Sequence, residues 1–160
     1  MKELIGLETI DEIINRFTAR FNIKADLGEE FQAFCDDRII NYTLTIEEED
    51  INYFIKDAET RYPDICADIF LWCLLHEIGH VMTNNMWSDE ELDYFEAQKE
   101  EMFRYSDADL RNNWYHCLPD EFHATRWAGN YMRKHPKKIA EFWNELHLAI
   151  MRFYLNNDLI

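Results

Sequence analysis

Residues 68–82 of this chain read DIFLWCLLHEIGHVM, a run of apolar side chains that is interrupted by His76, Glu77 and His80. Apolar positions fall on nearly every side of a helix built from this segment, which is typical of a buried helix. We predict such a helix over about 65–84. His76 and His80 are four residues apart, so their side chains share one face of it.

The ionisable groups of this helix need partners, because burying them without compensation costs free energy. Two imidazoles one helical turn apart can bind one Zn²⁺ ion through their ring nitrogens. Glu77 lies beside them, where a carboxylate can take a proton from a metal-activated water molecule. A pair of core histidines with hydrogen-bond partners is the purely structural alternative. The arrangement favours metal-assisted hydrolysis.

A catalytic zinc site usually takes three protein ligands and a water molecule, so a third ligand is needed. The sequence LPDEFHATRWA at 118–128 predicts a helix whose first turn contains Glu121. Glu121 shares one face of that helix with Ala124, Thr125 and Ala128. The two alanines would let the helix approach the histidine-bearing helix closely. Glu121 is therefore the predicted third ligand.

Two neighbours of Glu121 compete with it as the third ligand. His123 is two residues further along the helix, so we expect it to point to the other face. Asp120 is an alternative ligand, and it could instead orient a ligand histidine through the second ring nitrogen. It is equally plausible as a negative charge that stabilises the helix N-terminus.

The HEIGH sequence, followed some 40 residues later by Glu-x-x-Ala-x-x-x-Ala, resembles the gluzincin clan of zinc peptidases. Within that clan it is similar to the small ImmA/IrrE-type metallopeptidases, which show HExGH and a later ExxA. The resemblance covers residues 71–128. It implies an α+β, mainly helical minimal zincin with a small N-terminal antiparallel sheet packed on the HExxH helix. It also implies that His76, His80 and Glu121 bind Zn²⁺ and that Glu77 is the general base.

The function that these features predict is zinc-dependent hydrolysis of a peptide bond by metal-activated water, with Glu77 as the catalytic residue. The alternative is a non-catalytic, gluzincin-like zinc-binding module that acts through a protein partner. Retention of Glu77 favours the enzyme, because a structural zinc site has no need of that carboxylate. Relatives of this type often carry a DNA-binding helix-turn-helix, but this chain has no basic recognition helix.

A peptidase of this kind also needs a hydrogen-bond donor for the oxyanion that develops on the attacked carbonyl. Three side chains are candidates on sequence alone. Tyr115 and His116 lie just before the third-ligand helix, and Tyr131 lies on its later turns. Nothing in the sequence chooses between them.

Elsewhere, apolar periodicity, prolines and capping residues predict a mainly helical chain with one small sheet, forming a single domain over 1–160. Asp64 is expected to cap the helix that starts at Ile65, and Ser88 to form a capping box with Glu91. The other predicted elements are a helix over 7–21, a β-hairpin of 30–35 and 38–46, and helices over 47–61, 88–105, 119–134 and 136–156, with a helical turn at 107.

The chain carries 32 acidic residues against 16 Lys and Arg, a formal net charge of −16. Such a surface repels phosphate, so we expect no direct nucleic-acid binding and no membrane association. The expected partner is a protein or peptide substrate, with a regulator or DNA-binding protein as one option. The sequence shows no signal peptide, transmembrane run or disulfide pattern, which favours a cytoplasmic location.

Overall fold

The computed structural model describes residues 4–46 and 48–159, with the backbone alone at 48–50. The described ranges form mainly helices and one small sheet, so the predicted α+β class is confirmed. Two 3-10 turns, Ala19–Phe21 and Asn84–Met86, extend the first and third helices. The principal elements are α1 Leu7–Thr18, β1 Lys24–Leu27, β2 Gln32–Phe34, β3 Ile39–Tyr42, α2 Glu48–Arg61, α3 Ile69–Thr83, α4 Asp89–Met102, α5 Ala108–Cys117, α6 Pro119–Lys134 and α7 Pro136–Asn156.

The sheet is mixed, with β3 at its centre and β1 and β2 on either side. The predicted hairpin is confirmed, because β2 pairs antiparallel with β3 and Ala33 lies opposite Ile40. The prediction of a purely antiparallel sheet is wrong, because β1 adds to the other side of β3 in parallel. The Asn15 side chain of α1 bonds both the N–H and the C=O of Ala25 at 2.9 Å. These bonds satisfy the backbone of β1 on its outer edge, so the short strand is stable there.

Helix α3 begins at Ile69, four residues later than predicted. Asp68, and not Asp64, caps it, since the Asp68 carboxylate accepts a hydrogen bond from the Phe70 N–H at 2.8 Å. Asp64 instead forms an ion pair with Arg133 of α6. Both aspartates have the chemistry of a cap, and this tertiary pairing decides between them.

Most other helix boundaries agree with the predictions. The capping box of Ser88 and Glu91 is present at the start of α4, although α4 ends at Met102 instead of continuing to residue 105. Asp107 caps a complete helix, α5, where only a turn was predicted. Helices α6 and α7 begin at prolines, as expected. Glu47, the predicted first residue of the second helix, lies outside the described residues.

Helix α3 is the centre of the core. It packs against β2 and β3 on one side and along α6 on the other, and nearly all of its side chains are buried. The Phe70 ring, for example, contacts the rings of Phe31 and Tyr42 beside the sheet. The sheet, α3 and α6 therefore form three successive layers, and the histidines lie between the last two. None of the helices in the described ranges is both long and apolar enough to cross a lipid bilayer.

Candidate metal centre

Helices α3 and α6 approach so closely at the centre of the molecule that their backbones touch. A Cβ atom built on Gly79 would overlap the carbonyl oxygen of Ala124 and lie 3.0 Å from its carbonyl carbon and Cα atoms. Ala124 and Ala128 are fully buried in this contact. The predicted close approach is confirmed, and it depends on the glycine within HEIGH as well as on the alanines.

This contact brings together the three side chains that the sequence predicted as ligands. Nε2 of His76 lies 2.8 Å from Oε2 of Glu121, and Nε2 of His80 lies 3.1 Å from the same oxygen. One possible ligand atom from each of the three lies within 4.8 Å of the other two. In the described ranges, this is the one cluster of His, Cys, Asp or Glu side chains with that property. Two ring nitrogens and one carboxylate oxygen thus converge on a single point.

His76 is held in a defined orientation by its second ring nitrogen. Nδ1 lies 2.9 Å from Oγ1 of Thr125, which is one helical turn beyond Glu121 on α6. When Nδ1–H donates to this hydroxyl, Nε2 carries its lone pair and points at the centre. The ring of Phe54 also packs edge-on against the imidazole. The helical spacing predicts the correct face for Thr125, but no motif marks it as the partner of His76.

The electric field at the centre favours a positive charge. Burial alone would raise the pKa of the Glu121 carboxyl, but the two imidazoles hold it well below its usual value. Burial alone would lower the pKa of His80, yet the neighbouring carboxylates, Glu121 first, raise it to about 9. A proton on His80 and a bound metal cation are therefore alternative ways to satisfy the same carboxylate.

Glu77 lies at the same cleft as His80 and Glu121. Burial raises the pKa of its carboxyl above the ordinary value, and the nearby Glu121 adds to that effect, although the imidazoles oppose it. A carboxylate with a raised pKa is a stronger base than one in water. The position of Glu77 is thus chemically compatible with the predicted role as a proton acceptor.

Lys99 of α4 is part of the centre, although no motif in the sequence marks it. Its ammonium lies 2.9 Å from Oδ2 of Asp120 and 3.0 Å from Oε1 of Glu121, and its side chain is only 15 % exposed. Burial disfavours the charge, but the two carboxylates raise the pKa of Lys99 above its ordinary value, so it stays protonated. One feature of the sequence does distinguish Lys99. Residues 89–101 contain eight charged side chains, and Lys99 is the one cation among seven carboxylates.

Neither of the two competing third ligands belongs to the cluster of His76, His80 and Glu121. Asp120 bonds Lys99, so it orients no histidine; Thr125 has that role for His76 instead. The other Asp120 oxygen, Oδ1, is buried without a hydrogen-bond partner. His123 packs against the Trp87 ring, with 5.4 Å between ring centroids, and lies outside the cluster.

Of the three predicted oxyanion donors, Tyr115 lines the cleft beside Glu77 and Glu121. Burial, together with the charge of Glu121 and a hydrogen bond to it, raises the pKa of the Tyr115 phenol well above the usual value, so the phenol keeps its proton. His116 is buried against Phe54, on the side of the centre that faces the core. Tyr131 stacks on Trp127 and also packs against rings of α1, where it has no access to the cleft.

The cleft in front of the centre has a volume of about 340 Å³. One wall is formed by residues next to and within β2, including Phe31, Gln32 and Ala33, and the opposite wall by α4. Within the described ranges, β2 lies at the edge of the sheet and is paired on one side, with β3.

Similarity to known proteins does not identify this chain. No protein-family model matches it, and no curated protein or solved structure shows significant similarity to it. The resemblance to gluzincins consequently rests on the HEIGH and ExxA residues alone.

Proposed function

We propose that this protein is a zinc-dependent peptidase whose metal ion is bound by His76, His80 and Glu121. The observation that carries the proposal is the convergence of both imidazole Nε2 atoms on one oxygen of a buried carboxylate 41 and 45 residues away in sequence. Two imidazoles and one carboxylate held together in this way match the ligands of a catalytic zinc ion.

The donor set fits zinc and supports a catalytic role over a structural one. Two imidazole nitrogens and one carboxylate oxygen suit Zn²⁺. A structural zinc site is closed by four protein ligands, but the described residues supply three at this point. The cleft leaves the remaining side accessible. A site of this kind has room for water and substrate.

Each residue of the site would have a separate role in hydrolysis. The zinc ion, when bound, supplies Lewis acidity to the scissile carbonyl and the attacking water. Glu77 accepts one proton as the water oxygen adds to the carbonyl carbon. It then delivers that proton to the amine nitrogen as the C–N bond breaks. Tyr115, which lines the same cleft, would supply the oxyanion with a donor if its phenol turned from Glu121 to the substrate.

The shape of the cleft supports an extended peptide as the substrate. An edge strand can pair with an added strand through its free N–H and C=O groups. A peptide that pairs with β2 would run past Glu77 and His80, because all of these residues line one cleft.

The test combines metal content with hydrolysis. Purified wild-type protein is expected to hold one zinc ion per chain and to cleave members of an unstructured peptide library. His76→Ala and Glu121→Ala should lose both properties, whereas Glu77→Gln should keep the metal and lose cleavage. Metal binding without any cleavage would favour the partner-binding module, and absence of metal from wild type after zinc is offered would refute the proposal.

A further inference from the structure

The two oxygens of the Glu121 carboxylate face different partners. Oε2 faces the two imidazoles, at 2.8 and 3.1 Å, whereas Oε1 lies 3.0 Å from the ammonium of Lys99. Glu121 is almost completely buried, with 2 % of its side chain exposed, so neither oxygen is available to bulk water. A carboxylate held in this way has one oxygen directed at the metal centre and one directed away from it.

Lys99 is itself fixed by several bonds. Its ammonium donates to Oδ2 of Asp120 at 2.9 Å and to Oε1 of Glu96, one turn back on α4, at 3.2 Å. Together with the ion pair to Glu121, these contacts place three carboxylate oxygens around the ammonium. The Lys99 side chain also packs over the face of the Tyr115 ring, 5.5 Å from its centroid.

These contacts distinguish Lys99 from a catalytic group. Although it lines the cleft, its ammonium already lies within 3.2 Å of three carboxylates, which hold it away from a substrate oxyanion. Its strongest contacts are instead to two adjacent residues in the first turn of α6, Asp120 and Glu121. Lys99 therefore acts on the position of a ligand.

We propose that Lys99 is a positioning residue that keeps Glu121 a one-oxygen metal ligand. By occupying Oε1, its ammonium leaves Oε2 alone for the ion and keeps the coordination number low enough for water and substrate to bind. This inference rests on the proposed zinc site and adds to it a fourth side chain from a third helix. Without that cation, both carboxylate oxygens are free to turn toward a divalent ion, and the coordination number rises.

Co²⁺ bound to the full-length chain is the probe, because its visible absorption reports coordination geometry and weakens as the coordination number rises. Lys99→Met, which keeps most of the unbranched side chain and removes the charge, should show weaker absorption per bound ion than wild type. Lys99→Arg should restore the wild-type spectrum, because a guanidinium can also hold Oε1. Glu96→Gln is the matched control, since it neutralises the exposed partner of Lys99 but keeps an acceptor oxygen, and it should leave the Co²⁺ spectrum unchanged.

A folded Lys99→Met protein that binds Co²⁺ with the wild-type spectrum would overturn the role of Lys99 and leave the metal site intact. If Lys99→Met does not fold, infrared difference spectra of wild type with and without Zn²⁺ decide the question. A one-oxygen carboxylate signature supports the proposal, and a two-oxygen signature overturns it. Failure of wild type to bind either ion would overturn the metal site and this inference with it.

Discussion

A Cβ atom added to Gly79 would overlap the Ala124 carbonyl oxygen, so no side chain fits between these two residues. Gly79 lies between the two histidines of α3, and Ala124 is three residues after Glu121 on α6. The contact therefore sets the spacing of the two helices at the point where their ligand side chains meet.

We predict that Gly79→Ala separates α3 from α6 and impairs both stability and metal binding. Overpacking of this kind costs about 1–3 kcal/mol of unfolding free energy. The displaced ligands should also weaken Zn²⁺ binding by about tenfold or more. Chemical denaturation and a competition titration with a chromogenic chelator measure the two effects.

Gly129→Ala is the matched control, because a Cβ there would meet the Tyr62 ring at 2.7 Å, two helical turns away from Glu121. We expect it to reduce stability and to leave the zinc affinity close to wild type. Equal loss of zinc affinity in both variants would show that the Gly79 contact has no special role at the centre.

A second prediction concerns Thr125, whose hydroxyl is hydrogen-bonded to Nδ1 of His76. Thr125→Val keeps the shape of the side chain and removes the hydroxyl, so the imidazole loses the bond that fixes its tautomer and orientation. Loss of such a partner typically weakens metal binding by about 10–100-fold. Thr125→Ser should retain most of the affinity.

Thr83→Val is the control for that measurement. Thr83 is also buried on α3, but its hydroxyl donates to the Gly79 carbonyl of its own helix and contacts no ligand. If Thr83→Val weakens zinc binding as much as Thr125→Val does, general loosening of the core explains the result and the orienting role of Thr125 is wrong.

A third prediction concerns the pH dependence of the metal-free protein. The pKa of His80 rises from the ordinary 6.5 to about 9, because Glu121 outweighs the effect of burial. A raised pKa in the folded state stabilises the protein fully below pH 6.5, and this contribution disappears as the pH rises through 9. Its size is about 3 kcal/mol, because each tenfold gain in proton affinity corresponds to about 1.4 kcal/mol.

Thermal unfolding of the chelator-treated protein between pH 6 and 9.5 tests this window. The melting temperature should fall across it in wild type and stay nearly level in His80→Gln. Zinc displaces the proton on His80, so its apparent affinity should rise over the same range. A wild-type melting temperature that increases with pH across this range would contradict the assigned charge state.

The fourth prediction concerns the cysteines. Burial, with the nearby Glu77 carboxylate, raises the pKa of Cys35 to about 11, and burial raises that of Cys73 to about 12. Cys66 and Cys117 are exposed. Since the thiolate is the reactive form, iodoacetamide at pH 8 should label Cys66 and Cys117 well before Cys35 and Cys73.

Mass spectrometry of tryptic peptides reads out the order of labelling. The rate at Cys35, which lines the cleft, should increase about tenfold for each pH unit between 8 and 10. Rapid labelling of Cys35 at pH 8 would show that its thiol is less well shielded than the structure indicates.

The features that sequence predicted correctly depend on local chemistry. Prolines at 119 and 136 fix helix starts through their own backbone geometry. The spacing of His76 and His80 places both on one face of any helix, whatever surrounds it. Glu121 could be chosen because the alanines three and seven residues beyond it mark the face that lies against α3.

The features that were missed depend on contacts between distant residues. Asp64 and Asp68 are equivalent as caps until Arg133, on another helix, pairs with the first of them. Strand β1 is only four residues long, too short for a clear pattern. Its pairing with β3 and the hydrogen bonds from the Asn15 side chain hold it in place. Lys99 belongs to no motif, and only the packing of α4 on the first turn of α6 brings it to Glu121.

The sequence separation of the ligands has a consequence for the part of the chain between them. His80 and Glu121 are 41 residues apart, and α4 and α5 lie within that interval. A bound ion would act as a cross-link that closes this loop and removes conformational freedom from the unfolded chain. Helix α4 also forms a wall of the cleft. Because the ligands lie before and after it in the sequence, the same cross-link would restrain the segment that contains this wall at both of its ends. Proteases that cut between 84 and 118 should therefore report whether the ion is bound.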